Sequence, residues 1–340
     1  AYLTLNIDLT ERDLGQAGRL LKLAQDSGVD AVLVRDPALL AMKPEFPGLD
    51  FHFSTQTCMA NSADVTAAAK LGATRVVLAR ELSLSEIKHA SAVSGVETEV
   101  FVQGALCFSV SGRCMMSSWV GGRSGNRGTC TSTCRVPWSV EGGAAGTPMS
   151  MKDLALIHRL DDLRAAGVAA LKIEGRMKSI HYLAAVVHTY REALDACCSN
   201  PGEFQVKNRW KHTLASLTSR GYSTHFYFGK PGPEAVCHTP INPQPEIVVI
   251  AKVLRQIGPG QCLVQVKNKL FPHDPVEILS PRQPVRYDTI LQINDTDGAP
   301  LDFAQPNTVV TVTLSQCCHP NDLIRRNKNF FAMERGNQQI

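Results

Sequence analysis

Thr74 to Val102 reads TRVVLARELSLSEIKHASAVSGVETEVFV, one complete strand–helix–strand passage. Thr74–Leu78 is a short apolar run with β-branched residues, the composition of a buried strand. Ser83 then offers its hydroxyl as a helix N-cap, and Glu86 stands at the third helical position of a capping box. The helix runs to Ser94 and stops at Gly95, and Glu97–Val102 is the next strand. A helical crossover of this length joins parallel strands, not a hairpin.

The same grammar repeats on both sides. Upstream, Tyr2–Ile7 alternates like a strand. A helix from Thr10, with Asp13 three residues on, runs to Ser27 and closes at Gly28. Strands follow at Asp30–Val34 and Asp50–Ser54, with a short helix after Pro37 and a helix from Asn61 to Leu71. Downstream, a helix from Ser150 to Ala166 with Asp153 in its first turn precedes a strand at Ala169–Ile173 and a helix from Ser179 to Cys197. Six βα units argue a parallel sheet flanked by helices. A TIM barrel needs eight. The expectation is an α/β, TIM-barrel-like (β/α) domain over residues 1–199 that lacks its first two βα units, these lying upstream of Ala1. A doubly wound sheet is the alternative. Either way ligands gather at the carboxyl ends of the strands. Ser54–Thr57, Arg80–Glu81, Gln103 and Glu174–Lys178 fall there.

The fifth strand runs into Cys107–Arg135, CFSVSGRCMMSSWVGGRSGNRGTCTSTCR. Cys107, Cys114, Cys130 and Cys134 share it with Arg113, Arg123, Arg127 and Arg135. Thiolates hold zinc or iron–sulfur clusters, and nearby guanidinium groups favour the thiolate. Structural zinc prefers two tight cysteine knuckles; here only Cys130 and Cys134 are close, which favours iron–sulfur. Four buried or disulfide-bonded cysteines are the plain alternative, but disulfide frameworks belong to small secreted chains. The chain has 340 residues and 11 cysteines, an odd number that suits reduced cytoplasmic thiols. A net charge of +4 is too mild to argue for nucleic acid by itself. No apolar run is long enough to cross a membrane, and no leader opens the chain, so a cytoplasmic protein without a membrane partner is expected.

Composition shifts near Asn200. Residues 200–245 read as a connecting segment. From Glu246 short strands follow at Ile247–Leu254, Cys262–Lys267, Pro275–Leu279, Tyr287–Ile293 and Thr308–Leu314, a small antiparallel β-barrel over 246–326. The basic stretch Asp322–Lys328 reads as a solvated end, and 327–340 as a polar tail.

Several motifs are long enough to carry a resemblance: VFVQGALCFSVSGRCMMSS (100–118), NRGTCTSTCR (126–135), LKIEGRMKS (171–179), FSTQTCMANS (53–62), VVLARELSLSEI (76–87) and VKNKLFPHDPVEILSP (266–281). Together they resemble the U32 "peptidase" family, the collagenase-like proteins, over nearly the whole chain. The resemblance implies a TIM-barrel-like domain with a 4Fe-4S cluster that hydroxylates RNA without molecular oxygen. The branch with the extra β-domain hydroxylates tRNA wobble uridine at C5, with prephenate implicated as cosubstrate; a sister branch acts on ribosomal-RNA cytidine. The expected cluster ligands are Cys107, Cys114, Cys130 and Cys134. Gln56, Lys172 and Glu174 are the catalytic candidates. Arg80, Arg113, Arg127, Arg176 and Lys178 are the candidates for binding an acidic cosubstrate or RNA, since guanidinium suits carboxylates. An electron-donor protein is a further expected partner, and oligomeric state is not legible.

Each assignment has a plainer reading. Lys172, Glu174, Arg176 and Lys178 also suit a salt-bridge network that only holds a loop. Cys58 reads as a small buried hydrophobe, and Trp119 and Trp138 as a shield for the cysteine loop. Proteolysis ranks second: no nucleophile–base motif and no H-E-x-x-H is present. A non-catalytic RNA-binding protein using the β-domain ranks third.

Overall fold

The computed structural model describes residues 1–139, 141, 143, 145–238 and 246–327. Residues 239–245 of the expected connecting segment and 328–340 of the expected tail lie outside them. The described chain forms two compact units, interleaved in sequence. Among the described residues, the first comprises 1–174, 200–205 and 219–238, and the second 175–199, 206–218 and 246–327.

The first unit is built on β1 (Tyr2–Leu5), α1 (Glu11–Asp26), β2 (Ala31–Val34), α2 (Pro37–Ala41), β3 (Phe51–Phe53), α3 (Ser62–Lys70), β4 (Arg75–Val77), α4 (Leu84–Ser91) and β5 (Glu97–Gly104). A short α5 (Met116–Trp119) lies in the cysteine loop, followed by β6 (Asp153–Ala155), α6 (Leu160–Ala165) and β7 (Ala170–Ile173). The caps form as read. Ser83 N donates to Glu86 at 2.7 Å, and Glu86 N returns a 3.4 Å bond to the Ser83 hydroxyl. Thr10 N and its hydroxyl donate to Asp13 at 2.8 and 2.7 Å.

The sheet runs β1-β2-β3-β4-β5, all parallel, and β7 joins β5 in parallel too. These strands follow chain order across the sheet, without the reversal that marks a doubly wound fold. β2 and β3 are buried throughout, and α1 sets Ala17, Leu21 and Ala24 inward. A polar chain crosses the sheet. Tyr2 meets His52 edge-on at 5.0 Å, Arg75 bonds the Tyr2 hydroxyl and Glu97, and Glu99 receives both Arg75 and Lys172.

The expected helix from Ser150 to Ala166 is a correction. Asp153–Ala155 is β6, antiparallel to the end of β5 and parallel to β8 (Tyr222–Ser223). Only Leu160–Ala165 is α-helical there. Asp153 is fully buried against Arg220, 2.7 Å away, and a buried carboxylate needs such a partner more than a helix turn.

The second unit contains α7 (Ile180–Ser199), α8 (Asn208–Ala215) and seven strands: β9 (Ile247–Gly258), β10 (Gln261–Val266), β11 (Pro275–Leu279), β12 (Arg286–Thr289), β13 (Gln292–Asn294), β14 (Val309–Thr313) and β15 (Leu323–Asn327). Helix α8 falls in the segment read as a connector. The strands are ordered β12-β11-β15-β9-β10-β14-β13. The run expected as one strand, Tyr287–Ile293, divides between the two edges: Thr289 pairs with Pro275 of β11, and Gln292 with Thr313 of β14. The sheet therefore curls until one continuous run serves both rims, around a core that includes Ile250, Val264, Ile278 and Val312.

The stretch read as a solvated end is β15, in the middle of this sheet between β11 and β9. Arg325 is 2% exposed and donates to Glu277 at 2.6 Å, while Arg326 pairs with Asp274. The charges are tolerated because each meets a carboxylate.

Candidate functional site

The cysteine loop leaves the carboxyl end of β5 and is seated on neighbouring strand ends by backbone and side chain alike. Asn6, beyond β1, donates to the Ser54 hydroxyl beyond β3 at 3.2 Å. Arg35, beyond β2, pairs with Asp8 at 2.5 Å and reaches Gln56 Oε1 at 3.3 Å. The loop approaches this group at Gly112, whose φ is +72 and whose missing Cβ would lie 1.9 Å from the Gln56 carbonyl oxygen. Only glycine allows that contact. Gly104, at the mouth of the loop, approaches the Glu174 carbonyl in the same way: a Cβ there would stand 2.2 Å from its oxygen. Ser111 N donates to Glu81 at 2.9 Å, and the Ser111 hydroxyl takes Arg80 Nε at 3.2 Å.

The loop is thus laid over the strand ends that the sequence singled out. Gln56, Arg80 and Glu174 are brought beside it. Lys172 is turned elsewhere: its ammonium sits 2.6 Å from Glu99, a buried carboxylate in the first half of β5. Arg127 is committed to the loop's attachment, donating to the Asp8 carbonyl at 2.6 Å and to Asp13 at 3.1 Å. The Thr10 hydroxyl and amide, with Arg127 after them, hold the Asp13 carboxyl down at about 2. Arg113 and Arg176 are exposed. Lys178 lies in the second unit, where its ammonium meets the Thr218 carbonyl at 2.8 Å and the Tyr182 ring at 4.7 Å. Asp8, Arg35 and Ser111 escaped the sequence reading, which marked Asp13 only as a helix-cap residue and Glu81 only as a strand-end residue. Their signal was position alone, just past a strand, without an unusual motif.

Cys107, Cys114, Cys130 and Cys134 are all free thiols. Cys134 is pushed up chiefly by burial; Arg135 opposes this, and the charges of Cys107, Cys130 and Cys114 add to it, so all four share one electrostatic neighbourhood. Ser132 N points at Cys130 Sγ at 3.3 Å, the kind of amide-to-sulfur bond that steadies a ligating thiolate. Among the described residues no three Cys, His, Asp or Glu side chains are gathered as ligands of a single metal ion. Thiolates at the corners of a cubane stand further apart than those around one zinc. The donor set, four soft sulfurs with cations and amides close by, fits a 4Fe-4S cluster. Trp138 lies against the loop, its Nε1 bonded to the Thr133 carbonyl at 2.9 Å. Trp119 is 81% exposed and shields nothing. Cys58 is a half-buried free thiol in the left-handed region, with φ 58.

Comparison with known proteins gives this arrangement its family. The model of peptidase family U32 matches residues 1–236, and that of the U32 C-terminal domain matches residues 246–325.

The chain belongs to peptidase family U32.

Among its U32 relatives, the "tRNA hydroxylation protein P1" of Bacillus subtilis is 33% identical over 342 residues, covering 96% of this chain and 81% of that protein. A "Collagenase" of Porphyromonas gingivalis is 31% identical, over 68% of this chain and 60% of the relative. The "23S rRNA 5-hydroxycytidine C2501 synthase" of Escherichia coli is 32% identical, over 74% of this chain and 40% of the relative. The U32 family therefore includes proteins named for RNA hydroxylation and proteins named for proteolysis. Among the described residues no helix is long and apolar enough to cross a membrane.

Proposed function

We propose that this U32 chain is an RNA-modifying enzyme, an iron–sulfur-dependent and oxygen-independent hydroxylase whose substrate is tRNA wobble uridine, converted to 5-hydroxyuridine. The observation that carries this reading is the four-thiol loop seated on Gln56 at the carboxyl ends of parallel strands. The strand order supports a TIM-barrel-like frame, in which that edge is where chemistry is done. Names of relatives supply the reaction class.

Cys107, Cys114, Cys130 and Cys134 would hold a 4Fe-4S cluster, which when bound supplies one-electron transfer. The remaining work falls to the chain's own groups. Arg113, exposed on the loop, is the cation placed to take a carboxylate of an acidic cosubstrate such as prephenate, and a planar fork suits that group. Arg80 and Arg127 are occupied in building the site, so their part is positioning. Gln56 is oriented by Arg35 and presents an amide beside the loop. Glu174, just past the end of β7, is the carboxylate assigned to proton transfer. Turning C5–H into C5–OH takes two electrons from the base, so the cosubstrate or a redox partner protein would have to accept them.

The test is mass spectrometry of digested total tRNA and ribosomal RNA from a deletion strain. Loss of 5-hydroxyuridine-derived nucleosides, rescued by the wild-type chain and not by Cys114→Ser, is expected. Loss of hydroxycytidine from ribosomal RNA instead would move the substrate to that base. The collagenase relative favours a second reading, proteolysis. Unchanged RNA together with cleavage of denatured collagen by the purified chain would establish it in place of hydroxylation.

A further inference from the structure

Helix α8 carries an unusual distribution of charge. Lys207 caps it, and Arg209, Lys211 and His212 follow, with no acidic residue in the helix or its cap. Trp210 and Leu214 are buried, while Lys207, Asn208, Arg209, Lys211 and His212 are exposed. The helix therefore turns Lys207 and Lys211 to solvent, while Arg209 and His212 face a neighbouring cavity. Lys207 Nζ lies 5.3 Å from the Trp210 ring centre, its stem held over a buried aromatic.

The same helix forms one wall of a cavity of about 480 Å³ within the second unit. Arg209, His212 and Thr213 line it from α8, Thr189 from α7, and Tyr287 from β12. The volume falls in the range of small-ligand pockets and admits a nucleobase with its sugar. The carboxylates along its walls are largely spent. Glu192 receives Arg209 at 3.1 Å and Trp210 Nε1 at 2.8 Å, and Glu277 is paired with the buried Arg325. Glu246 stands beside Ile247 on the β9 wall. Tyr287 is 73% exposed, a large ring left in water at the rim. At the inner end Arg325 is 2% exposed, and its Nε has no hydrogen-bond partner. A buried guanidinium N–H without an acceptor is costly unless something polar completes it.

We infer that this face is a strand-binding site for RNA: phosphates run along Lys207 and Lys211 of α8, and one unstacked base enters the neighbouring cavity against Tyr287. The inference rests on the RNA reading above and adds to it a docking surface distinct from the cysteine loop. The pairing of fixed cations with an exposed ring is what single-stranded RNA requires. Charge tracks the backbone, and an aromatic face takes a base of any identity.

The experiment uses the full chain and an unmodified tRNA transcript, titrated by fluorescence anisotropy across a salt series. Lys207→Gln with Lys211→Gln should weaken binding about tenfold near 0.1 M salt and flatten the plot of log affinity against log salt by about 1.5 to 2 in slope. Tyr287→Ala should weaken binding fivefold or more while leaving the slope unchanged, and Tyr287→Phe should restore it. Lys252→Gln with Arg255→Gln, on β9, serves as a charge-matched control and should behave as wild type. Thermal melts followed by circular dichroism confirm that each variant folds. If wild type binds RNA but the α8 pair binds with unchanged affinity and slope, or the β9 pair weakens it equally, this inference falls and the hydroxylase reading stands. If wild type binds neither tRNA nor ribosomal RNA, the hydroxylase reading falls with it.

Discussion

At the residue scale, two glycines separate backbone conformation from close approach. Gly112 and Gly122 both have positive φ, +72 and +66, but only Gly112 faces an obstacle, the Gln56 carbonyl. Alanine at either position strains the backbone. Gly112→Ala must also move the loop off its seat. We expect iron and sulfide content after anaerobic reconstitution to fall at least fivefold in Gly112→Ala and less than twofold in Gly122→Ala; equal losses would mean the seat on Gln56 does not matter. His181 makes a second residue-level test. Burial first, and Arg325 second, hold its pKa down at about 4, so the ring is neutral in the fold and accepts from the Arg325 guanidinium 3.4 Å away. A depressed histidine pKa means the unfolded chain takes up the proton first as pH falls. The stability it contributes is complete above about pH 6.5 and is lost as pH falls toward about 4, an effect of about 3 kcal/mol at most. Urea midpoints measured from pH 7.5 to 4.5 should fall more steeply in wild type than in His181→Asn.

At the scale of elements, the cysteine loop is tied to α1 through Arg127, which meets the Asp8 carbonyl and Asp13 in the first turn. Arg127→Ala should lower stability by about 1 kcal/mol, as expected for a charged hydrogen bond at a partly exposed site. It should leave the KM for an acidic cosubstrate unchanged, whereas Arg113→Ala should raise that KM about tenfold with little loss of stability. A raised KM in Arg127→Ala would return that residue to the binding set. The elements themselves were legible where local rules act alone. Ser83 with Glu86, and Thr10 with Asp13, marked helix starts that formed as read. Reading failed where a distant partner decides. Asp153 suits a first helical turn, yet Arg220, distant in sequence, makes it a strand residue. Helix α8 buries only Trp210 and Leu214, four apart, too little periodicity to stand out. In β15 the string Leu323-Ile324-Arg325-Arg326 looks like surface because Glu277 and Asp274, which neutralise it, come from elsewhere. At the site, the four cysteines stand out by residue type alone, whereas the tether of Lys172 to Glu99 has no local signature.

At the scale of the whole molecule, the units do not follow the order of the chain, since α7 and α8 belong with the β-strands of the second unit. A cut before Glu246 therefore removes the strands that line a cavity together with both helices, and leaves Ala185, Thr189 and Trp210 without the strands across it. Chain 1–245 should aggregate, or melt well below the intact protein, in differential scanning calorimetry; a soluble truncation with unchanged melting would show that the helices are supported by other contacts. The position of β15 extends this point to synthesis. It is made last of the seven strands yet lies inside the sheet, pairing Leu323–Asn327 with β9, the first. Until the ribosome has released this segment, the emerging β-domain has a gap between β11 and β9, with open rims on both sides. Such unpaired edges invite contact with other nascent chains, so this domain is a client for holding factors throughout its translation. A stop codon after Asn321 deletes the keystone, and its product belongs to the proteolytic machinery of the cell.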